Sequence, residues 1–188
     1  MEKDGILNIT TRAEWRNWLE NNFNTKKEVW LVYAKKSTGK QRIPYNDAVE
    51  EALCFDWIDS IIKTLDEDHT IQRFTPRKTK STYSQPNIER LKWLAENNLM
   101  HDSLLKKLQE IISQAFVFPE DIINAIKSDQ VAWNNYTQFS EPYKRIRVAY
   151  IDSARKRPEE FIKRLANFIQ KTRDNKLLPG FGGIDKYY

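Results

Sequence analysis

The chain has 188 residues, of which 40% are apolar and 30% charged, a balance typical of a globular protein with one domain or two small ones. A chain of this length buries a core without disulfides or metals. Its single cysteine, Cys54, excludes an internal disulfide and fits a reducing compartment. The sequence has neither a signal-type N-terminal run nor an apolar stretch of about 18 residues, so we expect a cytoplasmic protein with no membrane partner.

The formal net charge is +5, and the positive charge is concentrated toward the C-terminus. Between Lys144 and Lys176 the chain has 11 basic and 4 acidic residues. This excess permits a nucleic acid or another acidic partner without requiring one.

The N-terminal half alternates between helical and strand patterns. Thr11 and Glu14 have the spacing of a capping box, and Pro44 suits the first turn of a second helix. Two β-branched segments flank an acidic turn, which predicts an antiparallel hairpin. The expected elements are helices at 11–22 and 44–54 and strands at 28–35, 55–65 and 69–75.

Helical patterns fill the rest of the chain. A basic, hydroxyl-rich loop at 76–85 leads into a helix for which Ser84 is the expected N-cap. The further helices are expected at 84–98, 101–115, from 119, at 129–139, 140–155 and 158–175.

These patterns predict an α+β fold. We expect a small antiparallel sheet of about three strands packed with helices, followed by a C-terminal helical region. The expected division is an N-terminal part at 1–115, a helical C-terminal region at 116–176 and an irregular tail at 177–188.

Several chemistries are disfavoured. Only Gly5 and Gly39 precede the tail, so the chain lacks a phosphate-cradling glycine-rich loop. Two histidines and one cysteine are too few for an ordinary zinc site, and no nucleophile elbow is present. The acidic run 66–68 is the place for a carboxylate-only magnesium or calcium site, although such acids usually solvate a hairpin tip. We therefore predict no cofactor, no metal and no catalytic residue.

The densest group of functional side chains lies between Cys54 and Asn87. Arginines and hydroxyls precede a helix N-terminus, whose free N–H groups and partial positive charge favour a carboxylate or phosphate. In this interpretation Trp57 forms an apolar wall and Asp59 orients an arginine. The residues predicted to form this ligand site are Trp57, Asp59, Arg73, Arg77, Ser81, Ser84 and Asn87.

A purely structural interpretation of the same residues is also open. Asp59 and Arg73 would then pair across the hairpin, Trp57 would belong to the core and Ser84 would only cap a helix.

Two blocks of the sequence carry a family resemblance. The first block consists of Ala52–Asp59, Arg73–Arg77, Ser81–Ser84 and Asn87. The second, at about 118–176, begins with Pro119–Ile122 and ends in a basic helix. Together they resemble the YdeI/OmpD-associated family, which is associated by name with bacteriocin protection.

The chain departs from the family pattern at three places. The family usually has glycine where Asp56 stands and tryptophan where Tyr83 stands, and a Thr-Arg pair is missing near Glu160 and Phe161. The resemblance implies the α+β fold and a shared site at 57–87, but no reaction or substrate.

The sequence is compatible with three candidate functions. The first is a non-catalytic binding protein for a small anionic ligand or an acidic peptide, in stress or bacteriocin protection. The second is a nucleic-acid-binding module built on the basic C-terminal helices. An enzyme with Asp59 as general base ranks last, because a base needs a raised pKa and neighbouring arginines favour the charged form of a carboxylate. Oligomeric state and strand order are left open.

Overall fold

The structure is a computed structural model that describes residues 2–3, 5–78 and 82–180. It confirms the predicted α+β class. The helices are α1 (Arg12–Asn22), α2 (Tyr45–Cys54), α3 (Gln85–Glu96), α4 (Asp102–Ser113), α5 (Glu120–Lys127), α6 (Gln130–Gln138), α7 (Glu141–Asp152) and α8 (Pro158–Arg173). The strands are β1 (Glu2–Lys3), β2 (Ile6–Leu7), β3 (Val29–Ala34), β4 (Trp57–Thr64) and β5 (His69–Pro76).

The sheet is larger than predicted and is mixed. Over the described residues its strand order is β1-β2-β3-β5-β4, and β2 pairs with β3 in parallel while the other pairs are antiparallel. The three predicted strands are the three long ones. The sequence pattern misses β1 and β2, because two residues cannot show the alternation that identifies a strand. The parallel pair arises because α1 returns the chain to the sheet between β2 and β3.

The chain groups into two compact units, each described by itself. The first comprises the chain up to Tyr83 together with Leu91–Ile111. The second comprises Ser84–Arg90 and the chain from Ile112 onward. The predicted domain division at 115 and 116 stays a prediction.

In the first unit, α1 packs against α2 and the sheet. The predicted capping box starts α1, since Thr11 and Glu14 exchange side-chain and backbone hydrogen bonds. Trp15 is fully buried, donates its indole N–H to the Ala48 carbonyl at 3.0 Å and lies 5.3 Å from the Phe74 ring. One aromatic side chain therefore joins α1 to both α2 and β5.

A buried ion-pair cluster reinforces the same helix pair. Glu51, only 2% exposed, accepts from Arg12 Nε at 2.5 Å and from Arg16 Nη1 at 2.9 Å. Because a buried carboxylate needs such partners, the two arginines fix how α2 lies against α1.

In the second unit, α5 to α8 surround one apolar core. Asp129 and Ser140 cap α6 and α7 by accepting backbone N–H groups. The buried core residues are Ile122, Ile126, Tyr136, Tyr143, Val148, Ile151 and Phe168. No helix in the described part of the chain is long and apolar enough to cross a membrane.

Candidate functional site

Trp57, predicted to form one wall of a ligand site, lies in the core of the first unit. It is 1% exposed, donates its indole N–H to the Phe23 carbonyl at 3.2 Å and meets the Trp18 ring edge-on at 5.8 Å. These contacts support the structural interpretation of this residue.

Asp59 and Arg73 do not pair across the hairpin. Asp59 lies opposite Phe74, so Arg73 points to the other face of the sheet. Asp59 accepts hydrogen bonds from the Tyr45 hydroxyl at 2.9 Å and from the Gln72 amide at 2.7 Å. Arg73 instead pairs with the Glu28 carboxylate.

Arg77 belongs to a cluster separate from the contacts of Asp59 and of Arg73. Its guanidinium stacks on the Tyr83 ring at 3.7 Å and donates from Nη2 to the Thr82 carbonyl at 2.8 Å. Its buried Nε has no hydrogen-bond partner among the described residues. The Tyr83 hydroxyl donates to Asp56 Oδ1 at 2.5 Å, and Lys107 forms an ion pair with the same carboxylate. Burial and the nearby Asp56 charge raise the pKa of Tyr83.

Two members of this cluster were missed by the sequence analysis. Lys107 lies on α4, and nothing in its sequence neighbourhood indicates a partner so far back in the chain. Asp56 has a backbone φ of +58°, a left-handed conformation that glycine adopts without strain. This conformation explains why a glycine suits the position in the family that the sequence resembles.

The remaining predicted residues fall elsewhere. Ser81 lies outside the described residues. Ser84 and Asn87 belong to the second unit, where the Ser84 carbonyl accepts from the Ile88 N–H at 3.0 Å and Asn87 Oδ1 accepts from Arg90 Nη1 at 2.9 Å. Within the first unit, the predicted residues thus belong to separate clusters.

The carboxylates of Asp66 and Asp68 in the acidic hairpin turn bind neighbouring protein groups. Asp66 accepts from the backbone N–H groups of Asp68 and His69 and contacts the His69 ring, and these bonds lower its pKa. Asp68 pairs with Lys40 at 2.8 Å. Across the described residues, no group of three or more histidine, cysteine or acidic side chains is placed to hold a metal ion.

A cavity of about 290 Å³ lies between α7 and α8 of the second unit. Its lining consists of Arg147, Tyr150, Ile151, Glu160, Lys163, Arg164, Asn167, Phe168 and Leu178. The helical spacings i, i+3 and i+4 place these side chains on the facing surfaces of the two helices. We refer to it as the α7–α8 cavity.

Arg164 is held rigidly at this cavity. Its guanidinium lies 3.8 Å from the centre of the Tyr150 ring, donates from Nη1 to the Tyr150 carbonyl at 2.8 Å and from Nε to Glu160 at 2.7 Å. The hydrogen bond from Arg164 lowers the pKa of Glu160. Within the described residues, the hydrogen bonds of Arg164 use Nε and Nη1, which leaves Nη2 for a ligand.

Arg147 forms the inner side of the cavity. It is 3% exposed and donates from Nη2 to the carbonyls of Leu178 and Gly180. With Lys163, the described lining holds three cationic side chains against the single carboxylate of Glu160. The spacing of 160, 163, 164 and 167 on one helix was a signal that the sequence analysis did not use.

Several other basic residues of this unit are neutralised. Arg145 makes a two-point contact with the buried Glu89 at 2.7 and 2.8 Å. Arg155 pairs with Asp121 at 2.8 Å, and Arg173 with Asp129 at 2.7 Å. These pairs reduce the positive charge that the predicted nucleic-acid surface would present.

Comparison with known families gives two matches. A family described as Domain of unknown function (DUF8412) matches residues 7–107, just over half of the chain. A family described as Bacteriocin-protection, YdeI or OmpD-Associated matches residues 115–175. The comparison with curated proteins gave no match, and neither did the comparison with solved structures.

The second match confirms the family resemblance and places it on the C-terminal helices. The motifs at 52–87, on which the resemblance partly rested, lie in the range of the first match. The α7–α8 cavity is formed by helices inside the second match, with Leu178 just beyond it. The chain therefore belongs to the family of this domain of unknown function and carries a YdeI/OmpD-associated, bacteriocin-protection region at residues 115–175.

Proposed function

We propose that the protein is a non-catalytic binding protein that holds a small anionic ligand in the α7–α8 cavity. The observation that carries this proposal is the charge of the described lining, in which Arg147, Lys163 and Arg164 face a single carboxylate. The description of the family that matches these helices supports a role in bacteriocin protection as part of this proposal.

The arginines are suited to an anion. A guanidinium gives charge-assisted hydrogen bonds to carboxylate or phosphate, and a partly enclosed cavity strengthens them because water screens less there. Arg164 is already ordered by Tyr150 and Glu160, so binding costs little side-chain entropy.

The size of the cavity is compatible with a small ligand. A volume of about 290 Å³ equals roughly ten times the liquid volume of a water molecule, and thus accommodates about ten non-hydrogen atoms. Small phosphorylated compounds and short polycarboxylates fall in this range, as does the acidic end of a peptide.

The ionisable groups of the cavity are arranged for binding. Glu160 accepts from Arg164, and this contact favours its charged form, whereas a general acid at neutral pH needs a raised pKa. The carboxylate therefore orients the arginine.

The anion surface predicted at 57–87 stays a prediction. Of its residues, Arg77 supports it best, because its buried Nε finds no hydrogen-bond partner within the part of the chain that the structure describes. Asp56 already binds Tyr83 and Lys107 in the same cluster and would oppose an anionic ligand there.

A thermal-shift measurement with inorganic pyrophosphate and citrate tests the proposal. At about 100 times its dissociation constant a ligand adds roughly 2.7 kcal/mol of apparent stability. We expect this gain for the wild type, its loss in Arg164→Ala and its retention in Arg173→Ala. Arg173 is the matched control, because it lies on the same helix but pairs with Asp129 outside the cavity.

Two outcomes contradict the proposal. The first is equal stabilisation of the wild type and Arg164→Ala. The second is stabilisation that disappears in Arg77→Ala and persists in Arg164→Ala, which would place the anion at the 57–87 surface instead.

A further inference from the structure

The short segment 177–180, which follows α8, is tied to buried side chains of α7. The Leu178 N–H donates to the Tyr143 hydroxyl at 2.9 Å. The Leu178 and Gly180 carbonyls accept from Arg147, the second at 3.0 Å. The Leu178 side chain packs against the core of the unit and lines the α7–α8 cavity.

These contacts hold the segment through its backbone. With the segment in place, Tyr143 is 1% exposed and Arg147 is 3% exposed, and the Tyr143 ring belongs to the core of the unit. The segment also begins after residue 175, where the match to the bacteriocin-protection family ends.

The Arg147 guanidinium both binds the segment and lines the cavity. In the present structure its Nη2 group is bound by neutral carbonyls of the segment, and the same guanidinium forms one side of the cavity. A carboxylate or phosphate is a stronger acceptor for arginine than a neutral carbonyl. An anion that enters the cavity therefore competes with the segment.

We propose that residues 177–180 form a strap that closes the α7–α8 cavity and competes with the anionic ligand for Arg147. The competition rests on the proposed function, whereas the strap contacts do not. Ligand binding then requires the strap to open. The measured association constant equals that of the open form multiplied by the fraction of molecules in which the strap is open.

Tyr143→Phe in the full chain weakens the strap and keeps the ring that lies 5.4 Å from the Arg147 guanidinium. Tyr143 does not line the cavity, and phenylalanine keeps the ring that packs in the core. The loss of one hydrogen bond to the strap implies an affinity for inorganic pyrophosphate about two- to tenfold tighter than in the wild type.

A matched pair of variants provides the control. Leu178→Ala removes packing of the strap and should also tighten pyrophosphate binding. Leu177→Ala removes the same atoms from a side chain that is 49% exposed, and should leave the affinity unchanged.

Hydrogen exchange of the Leu178 amide reports on the strap directly. We expect pyrophosphate to accelerate this exchange in the wild type, because the ligand favours the open strap. Tyr143→Phe should accelerate it without ligand.

The outcomes separate the two proposals. If pyrophosphate binds through Arg164 but the affinity of Tyr143→Phe equals that of the wild type, or if the ligand slows exchange at Leu178, the strap is overturned and the binding function stands. If neither protein binds any anion tested, the binding function fails and the competition fails with it. Accelerated exchange at Leu178 in Tyr143→Phe alone would then still show the strap contact.

Discussion

Replacement of Trp57 by phenylalanine tests whether this residue belongs to the core of the first unit. The side chain is 1% exposed, and its indole N–H is donated to the Phe23 carbonyl at 3.2 Å. The smaller ring removes that donor and leaves empty space beside Trp18.

Two losses set the expected magnitude. One net hydrogen bond is worth about 1 kcal/mol. The missing ring atoms leave roughly 40 Å³, and at about 24 cal/mol per Å³ of cavity this adds about 1 kcal/mol. We therefore expect Trp57→Phe to lower the free energy of unfolding by about 2 kcal/mol.

Trp30→Phe is the matched control in the same sheet. Trp30 is half-buried, and its hydrogen bond goes to Glu28, whose side chain is 46% exposed, so water replaces the lost donor. Urea unfolding followed by circular dichroism should show less than about 1 kcal/mol of loss for this variant. Equal stabilities of Trp57→Phe and the wild type would refute the core assignment, and so would a reduced anion affinity in Trp57→Phe.

Two further predictions concern ionisable groups. Burial raises the pKa of the Cys54 thiol to about 12. At pH 8 we therefore expect no reaction of the native protein with an aromatic disulfide reagent and full reaction in urea, both measured by absorbance. Rapid reaction of the native protein would contradict the buried position of Cys54. Hydrogen bonds from Arg155 lower the pKa of Asp121. Hydrogen bonds from the backbone N–H groups at the start of α6, together with one from Arg173, lower the pKa of Asp129. Since these folded-state pKa values lie below the unfolded ones, their stabilising effect is present above about pH 4 and is lost as pH falls through the lowered values. Melting temperature should therefore fall as pH decreases below about 4, and a constant or rising value there would contradict these pairs.

The long elements were predictable because their signals are local. The capping box at Thr11 and Glu14 starts α1 as expected, and the apolar face of 158–175 corresponds to α8. The strands β1 and β2 were not predictable, since two residues show no alternation and the pairing of β2 with β3 depends on where α1 returns the chain. The mixed character of the sheet follows from that same tertiary contact.

The candidate site was less predictable because it depends on contacts distant in sequence. Asp59 and Arg73 are close neighbours in the hairpin but face opposite sides, and this follows from the register of β4 and β5. The strap contacts join Tyr143 to residue 178, a separation over which periodicity carries no information. The part of the site that was available from the sequence is the helical spacing of residues 160, 163, 164 and 167 on α8.

Binding of a small anion in the α7–α8 cavity is tested most directly by isothermal titration of inorganic pyrophosphate into the wild type, Arg164→Ala and Arg173→Ala. A charge-assisted hydrogen bond is worth about 1.5–3 kcal/mol, so we predict an affinity about ten- to a hundredfold weaker for Arg164→Ala. Arg173→Ala should bind as the wild type does. Indistinguishable dissociation constants for all three proteins, or no heat of binding to the wild type with pyrophosphate or citrate, would contradict the assignment of the site.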